Sequence, residues 1–190
     1  RREQIAQSAL KIIAANGARG LTTAAIAKDT GMSEANIYRH FRSKDEIISE
    51  AVDSIGRGLR ENIEGLMSID DTSSPLEKMK RLFMLHISYV ESNEGIPRLV
   101  FSEEIHTGDR TLKQKLLQFI DSYAERLEYL IKEGQKAGLI KPGINPNITA
   151  KIFIGMVQVT VFRWSLSGFS FPLAVEAGKL WNNFQKCIEV

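Results

Sequence analysis

Cysteine is all but missing from this chain: Cys187 is the only one in 190 residues. A lone thiol excludes an intramolecular disulfide and suits a reducing cytosol. Long apolar runs are missing as well, since nothing approaches the roughly 18 consecutive residues of a membrane span. We therefore expect a cytoplasmic protein with no membrane partner. There is no pattern of a secretory signal peptide. The chain opens on Arg1 rather than methionine, so native residues are expected ahead of it. Histidine is scarce and scattered, at His40, His86 and His106. Glu103-Glu104 with His106 comes nearest to a metal-binding cluster, but adjacent residues on a helix diverge, and a solvated face explains them. Nucleophile elbows, phosphate-binding glycine loops and metal-ligand spacings are all lacking. These gaps point away from an enzyme: no catalytic residue, metal or cofactor is expected.

What the chain does have is ordinary in amount and uneven in placement. Apolar residues make up 43% and charged residues 25%, which allows one large core or a small domain joined to a larger one. Residues 1–45 hold eight Lys or Arg against four Asp or Glu, a surplus of +4, so the whole-chain charge of +2 leaves −2 for the remainder. A basic head on a slightly acidic body is the asymmetry of a protein whose head alone meets phosphates.

Apolar residues recur at helical spacing almost throughout. Ile5, Ala9, Ile12 and Ile13 mark a first helix, with Asn16-Gly17 as a left-handed stop. Ser43 and Glu46 form a capping box opening a long helix, whose stripe runs Ile48, Ala51, Ile55, Leu59, Ile63 and Leu66. Asp70–Ser74 is the first clear loop, and Ser74-Pro75-Leu76-Glu77 is a second capping box with proline at its first helical position. Leu76, Met79, Phe83, His86, Ile87 and Val90 line the helix that follows. Asn93–Pro97 breaks the pattern, and Thr107-Gly108-Asp109 ends a short apolar helix. The cleanest amphipathic helix carries Leu112, Leu116, Phe119, Ile120, Tyr123, Leu127, Leu130 and Ile131. After a loop over Gly138–Asn147, two last helices span 148–166 and 173–188. No alternating strand pattern, internal repeat or low-complexity tract interrupts them. The expected fold is all-α, with a three-helix head (helices 3–16, 23–30 and 34–40; domain 1–48) on a larger helical-bundle body (49–190).

The segment Leu21–Lys44 carries the strongest signal. It reads as helix, glycine turn, helix: Ala27 is small where the two helices touch, and Gly31 suits a turn that demands positive φ. Ser33 is placed to cap the second helix, and Ile37 is apolar on its inner face. A helix-turn-helix lays its second helix in the DNA major groove. Ser33, Glu34, Ala35 and Asn36 occupy the first turn, where side chains reach base edges. Asn36 can pair with adenine or a phosphate, Ala35 can touch a thymine methyl, and Glu34 can accept from cytosine although phosphate repulsion opposes it. Ser33 is a cap first and a DNA contact second. Thr22 and Thr23 stand at a helix start facing the backbone, and Lys44 could hold a phosphate through its amine or its backbone N–H. Tyr38, Arg39 and His40 complete the candidate DNA-contacting set; packing on the head's surface is the competing role for Tyr38 and His40, and solvation for Arg39.

The same residues, Thr22-Thr23, Ile26-Ala27, Gly31, Ile37-Tyr38-Arg39-His40-Phe41 and Ser43-Lys44, resemble the head of the tetracycline-repressor (TetR) family of bacterial regulators. The resemblance is strong over about residues 3–50. It persists in the last third, where Gly155–Gly168 precedes a tryptophan-containing helix. It implies that Tyr38 lies against the sugar-phosphate backbone with Phe41 buried behind it. Some relatives carry a basic residue where this chain has Ala24, so one base contact is absent. It further implies a homodimer built by the last two helices, two heads reading a pseudo-palindromic operator, and repression as the mode of action.

The middle of the body is expected to hold a cavity for a small apolar or amphipathic effector. Phe83, His86, Ile87, Phe101, Ile105, Phe119, Tyr123, Met156 and Phe162 are the candidate walls. Ordinary core duty is the competing role for each of them. Ligand binding would shift the body's helices and swing the long linking helix, so the recognition helices no longer match one DNA turn. A helical protein-interaction scaffold is the alternative reading, and it leaves the Thr22–Lys44 pattern unexplained.

Overall fold

The computed structural model describes residues 1–66, 72–108 and 110–190. The helices among them are α1 (Arg2–Asn16), α2 (Thr23–Thr30), α3 (Glu34–His40), α4 (Lys44–Leu66), α5 (Pro75–Glu91), α6 (Gly95–Val100), α7 (Glu103–Thr107), α8 (Arg110–Lys136), α9 (Pro146–Leu166) and α10 (Leu173–Ile188). A 3-10 turn, Ala18–Gly20, follows α1. Among the described residues the sole β feature is one antiparallel bridge, Ile140 to Glu189. The fold is all-α, as the periodicity implies. Part of the loop expected over Asp70–Ser74 (residues 70 and 71) and the stop residue Asp109 lie outside the described residues.

Local chemistry sets the helix ends. The Ser33 hydroxyl accepts from the Asn36 N–H at 3.2 Å and the Asn145 carbonyl from the Ile148 N–H at 3.1 Å. Both relieve amides that the first turn of a helix leaves unpaired. Ser74 and Glu77 bond reciprocally, the Ser74 N–H donating to the carboxylate at 2.8 Å and the Glu77 N–H to the hydroxyl at 3.3 Å, completing the expected capping box. Gly31 adopts φ 68°, a left-handed conformation that ends α2 and turns the chain into α3.

The chain forms two compact units, one of residues 1–58 and 92–117 and one of residues 59–91 and 118–190. Compactness thus groups α6 and α7 with the first three helices, which a cut at residue 48 does not. In the first unit Ile5, Ile13, Ile26, Ile37, Phe41, Ile47 and Ile48 are buried together. Gly95 opens α6 against α1 so closely that a Cβ there would stand 2.1 Å from the Leu10 carbonyl oxygen. The Arg98 guanidinium donates to the Ala14 carbonyl at the end of α1.

The second unit buries a run of aromatic rings. Phe83 of α5 meets Phe153 of α9 edge to face at 5.4 Å, and Trp181 and Phe184 of α10 pack beside them. α9 is apolar on two sides. Ala150, Phe153, Val157, Val161 and Trp164 face inward, while Ile148, Ile152, Val159, Phe162 and Leu166 are exposed.

Candidate nucleic-acid interface and effector site

α2 and α3 present their N-terminal turns side by side. Thr22 caps α2, accepting from the Ala25 N–H at 3.1 Å, as Ser33 caps α3. Each capping hydroxyl uses a lone pair in this way and keeps its own O–H free to donate, which is what a phosphate oxygen needs. Thr23 donates to the Glu34 carboxylate at 2.7 Å, and the Tyr38 hydroxyl stands 3.4 Å from the same Thr23 oxygen. These three side chains fix the spacing between the two helices. Tyr38 nevertheless remains 55% exposed. Ala35 and Arg39 are exposed, and Asn36 and His40 are half-buried.

Lys44 is placed differently from the residues around it. Its ammonium donates to the Ala18 carbonyl at 2.9 Å, so the amine braces the turn after α1. The end of α3 is held by a residue that periodicity does not reveal. Arg2 donates to the His40 carbonyl at 2.6 Å and to Glu50 at 2.9 Å, with its guanidinium 4.0 Å over the Phe41 ring. Glu50 is shared with Arg57 at 3.2 Å, and Arg57 also pairs with Glu3. The hydrogen bond from Ser54 holds the Glu3 carboxyl below its ordinary pKa, and the bond to Glu3 raises that of Arg57. No local sequence signal marks the Arg2–Glu50 pair, because its two residues lie 48 positions apart.

The candidate effector residues divide between the units. In the second unit, His86 of α5 and Tyr123 of α8 form a hydrogen-bonded pair, Nδ1 to hydroxyl 3.1 Å, with rings edge to face at 5.4 Å. Phe119 stacks on Tyr123 at 6.3 Å and Phe153 approaches it at 6.4 Å. Phe83 and Ile87 are fully buried nearby on α5, and Met156 is half-buried on α9. Burial pushes His86 down to about 4 and Tyr123 up, so both are neutral at cellular pH. Phe101 and Ile105 belong to the first unit, Phe101 exposed and Ile105 buried. Phe162 is exposed with the outer stripe of α9; a helix apolar on two sides gives no sequence cue to which of them faces inward. Phe153, Trp181 and Phe184, central to the cluster, are absent from the expected walls, although the spacing of Leu173, Ala177, Trp181, Phe184 and Ile188 on α10 could have signalled two of them.

Among the described residues no group of three His, Cys, Asp or Glu could hold a metal ion, and no helix is long and apolar enough to cross a membrane. A capped helix pair with free hydroxyls, an exposed tyrosine and a glycine turn defines a DNA-binding helix-turn-helix, here joined to a helical body.

Residues 5–51 match the family model described as bacterial regulatory proteins, tetR family, and residues 59–185 match that of the YsiA-like protein, C-terminal region. The chain belongs to the tetR family of bacterial regulatory proteins. Its relatives include the nucleoid occlusion factor SlmA of Vibrio cholerae, 26% identical over 95% of this chain and 92% of that protein. The fatty acid metabolism regulator protein of Bacillus subtilis is 25% identical over 90% of this chain and 86% of that protein. The fold is shared with the transcriptional regulator FadR from Bacillus subtilis, solved in complex with stearoyl-CoA (TM-score 0.79, 22% identity, 97% of each chain covered).

Proposed function

We propose that this protein is a cytoplasmic transcriptional repressor that binds a pseudo-palindromic operator as a homodimer and is released by a long-chain acyl thioester. The likeness to the fatty acid metabolism regulator protein of Bacillus subtilis, over 90% of this chain, carries the reading. The fold shared with a regulator solved in complex with stearoyl-CoA supports the ligand class. The body offers what an acyl chain requires, an aromatic and aliphatic interior with a neutral polar pair.

Residues 1–48 serve as the DNA-binding domain and 49–190 as the effector and dimerisation domain. Thr22 and Ser33 donate their free hydroxyl protons to phosphates, Thr23 and Tyr38 lie against the sugar-phosphate backbone, and Ala35 and Asn36 face base edges. Arg39 and His40 act as counter-charges. Glu34 aligns Thr23 rather than reading a base, and Lys44 contributes its backbone N–H. The exposed stripe Ile148, Ile152, Val159, Phe162 and Leu166 pairs with its copy across a two-fold axis. Two heads then engage half-sites roughly 34–36 Å apart. Ligand in the body favours a state in which α4 carries the heads out of that spacing, through its difference in affinity between the two states.

The test is selection from a random DNA pool across a salt series, followed by titration of stearoyl-CoA into the protein–operator complex. An inverted repeat with steep salt dependence, released by the thioester, is the expected result. Failure to enrich any motif at low salt would refute the operator, and an operator affinity unchanged at saturating thioester would refute the effector.

A further inference from the structure

The recognition helix is too short to orient itself. α3 has seven residues, and Ile37 is its one buried side chain. A helix of two turns is marginal on its own, and a single buried residue leaves its axis free to pivot. Polar contacts at the two ends must therefore set its direction. At the amino end Glu34 accepts from Thr23 of α2 at 2.7 Å. At the carboxyl end Arg2 of α1 donates to the His40 carbonyl at 2.6 Å. That carbonyl belongs to the last turn, which a helix leaves without internal partners, and a cation there also meets the negative end of the helix dipole.

Arg2 spends its whole guanidinium inside the protein. Nη1 holds His40, Nε meets the Glu50 carboxylate of α4 at 2.9 Å, and Nη2 meets the same oxygen at 2.8 Å. The plane lies over the Phe41 ring, 4.0 Å from its centre. To reach a phosphate it would have to leave all of these partners. Glu50 is itself a firm anchor, only 14% exposed and shared with Arg57 at 3.2 Å. Arg57 pairs with Glu3, whose carboxylate accepts from Ser54 at 2.6 Å. Two bases and two acids thus alternate between α1 and α4, with no net charge. One exposed ion pair fixes little, whereas a network of several holds a geometry. Being neutral, this one adds nothing to the attraction of phosphates.

We propose that Arg2 is a positioning residue for operator recognition: it sets the angle at which α3 meets base edges, acts through Glu50, and does not touch DNA. The proposal rests on the operator reading above and adds to it a residue outside the helix-turn-helix on which sequence discrimination depends.

Anisotropy titration of the full chain across a salt series tests it, with two probes: the inverted-repeat duplex recovered by the selection described above, and a scrambled duplex of the same composition. Arg2→Met keeps the stem and removes the charge. It should weaken binding to the inverted repeat by about tenfold, the worth of one good base contact, and leave the scrambled duplex and the salt slope nearly unchanged. Glu50→Gln should act alike, and the double variant should lose no more than either single one, as expected of residues in one network. A variant that is merely less stable loses active protein, which lowers binding to both duplexes equally and leaves their ratio intact. An unchanged ratio in Arg2→Met therefore overturns the proposal. So does a shallower salt slope, which would make Arg2 a phosphate contact, and so do additive losses in the double variant. If wild type recovers no inverted repeat from the pool, the operator reading falls and takes the proposal with it.

Discussion

Acid should unfold this protein earlier than its carboxylates alone would dictate, and His86 should be the reason. An unfolded chain holds this imidazole near 6.5, and the folded protein holds it near 4. Between those values the unfolded state binds a proton that the folded state refuses, so stability falls as pH falls through 6.5 and stops falling below about 4. At 1.4 kcal/mol per pH unit the loss between pH 7.5 and pH 5 is about 2 kcal/mol. The carboxyls of Glu3 and Glu128 are shifted the opposite way, each lowered first by a hydrogen bond, from Ser54 and Lys132 respectively. Their stabilisation is present above an unfolded value of 4.5 and is lost only as pH drops beneath it. The window from pH 6.5 to 5 therefore belongs to His86. Urea unfolding at half-unit intervals, wild type beside His86→Gln, isolates the effect, because every other titrating group is common to both proteins. The two stability curves should converge by about 2 kcal/mol on going from pH 7.5 to 5. Parallel curves across that range would refute the claim that the folded core excludes the protonated ring.

Glu34→Gln removes the negative charge at the mouth of the recognition helix and should tighten operator binding several-fold at low ionic strength in a fluorescence anisotropy titration; weakened binding would mean that Glu34 reads a base after all. Ile152→Glu places a charge in the exposed stripe of α9 and should convert the dimer to monomer by light scattering, while its melting temperature as a monomer shows that the fold survives. Gly95→Ala forces a methyl into the Leu10 carbonyl, which is backbone and cannot turn aside; about 1–3 kcal/mol of stability should be lost in denaturant unfolding, and wild-type stability would show that α6 can move freely from α1.

The features that were legible in the sequence are those decided within a turn or two of chain. Ser33 and Ser74 cap the helices they were expected to open, and Gly31 takes the left-handed turn, because a cap answers to neighbours three residues away. The two-helix DNA-reading unit is legible for the same reason. What could not be read is where one element meets another far along the chain. Lys44 turns toward Ala18, 26 positions back, and Arg2 reaches Glu50 across 48; nothing in their flanks encodes those partners. Phe162 lies on the exposed side of a helix that is apolar on two sides, so periodicity does not say which of the two faces inward. The aromatic cluster was half legible: Phe83, Phe119 and Tyr123 lie on stripes, whereas Phe153 lies on a helix without one.

Arg2 is a rivet rather than a surface charge. One guanidinium joins the end of the recognition helix, the ring of Phe41 and the shaft of α4. A tilt of the recognition helix against α4 would have to break that junction first, so the end of α3 and the start of α4 turn as one piece.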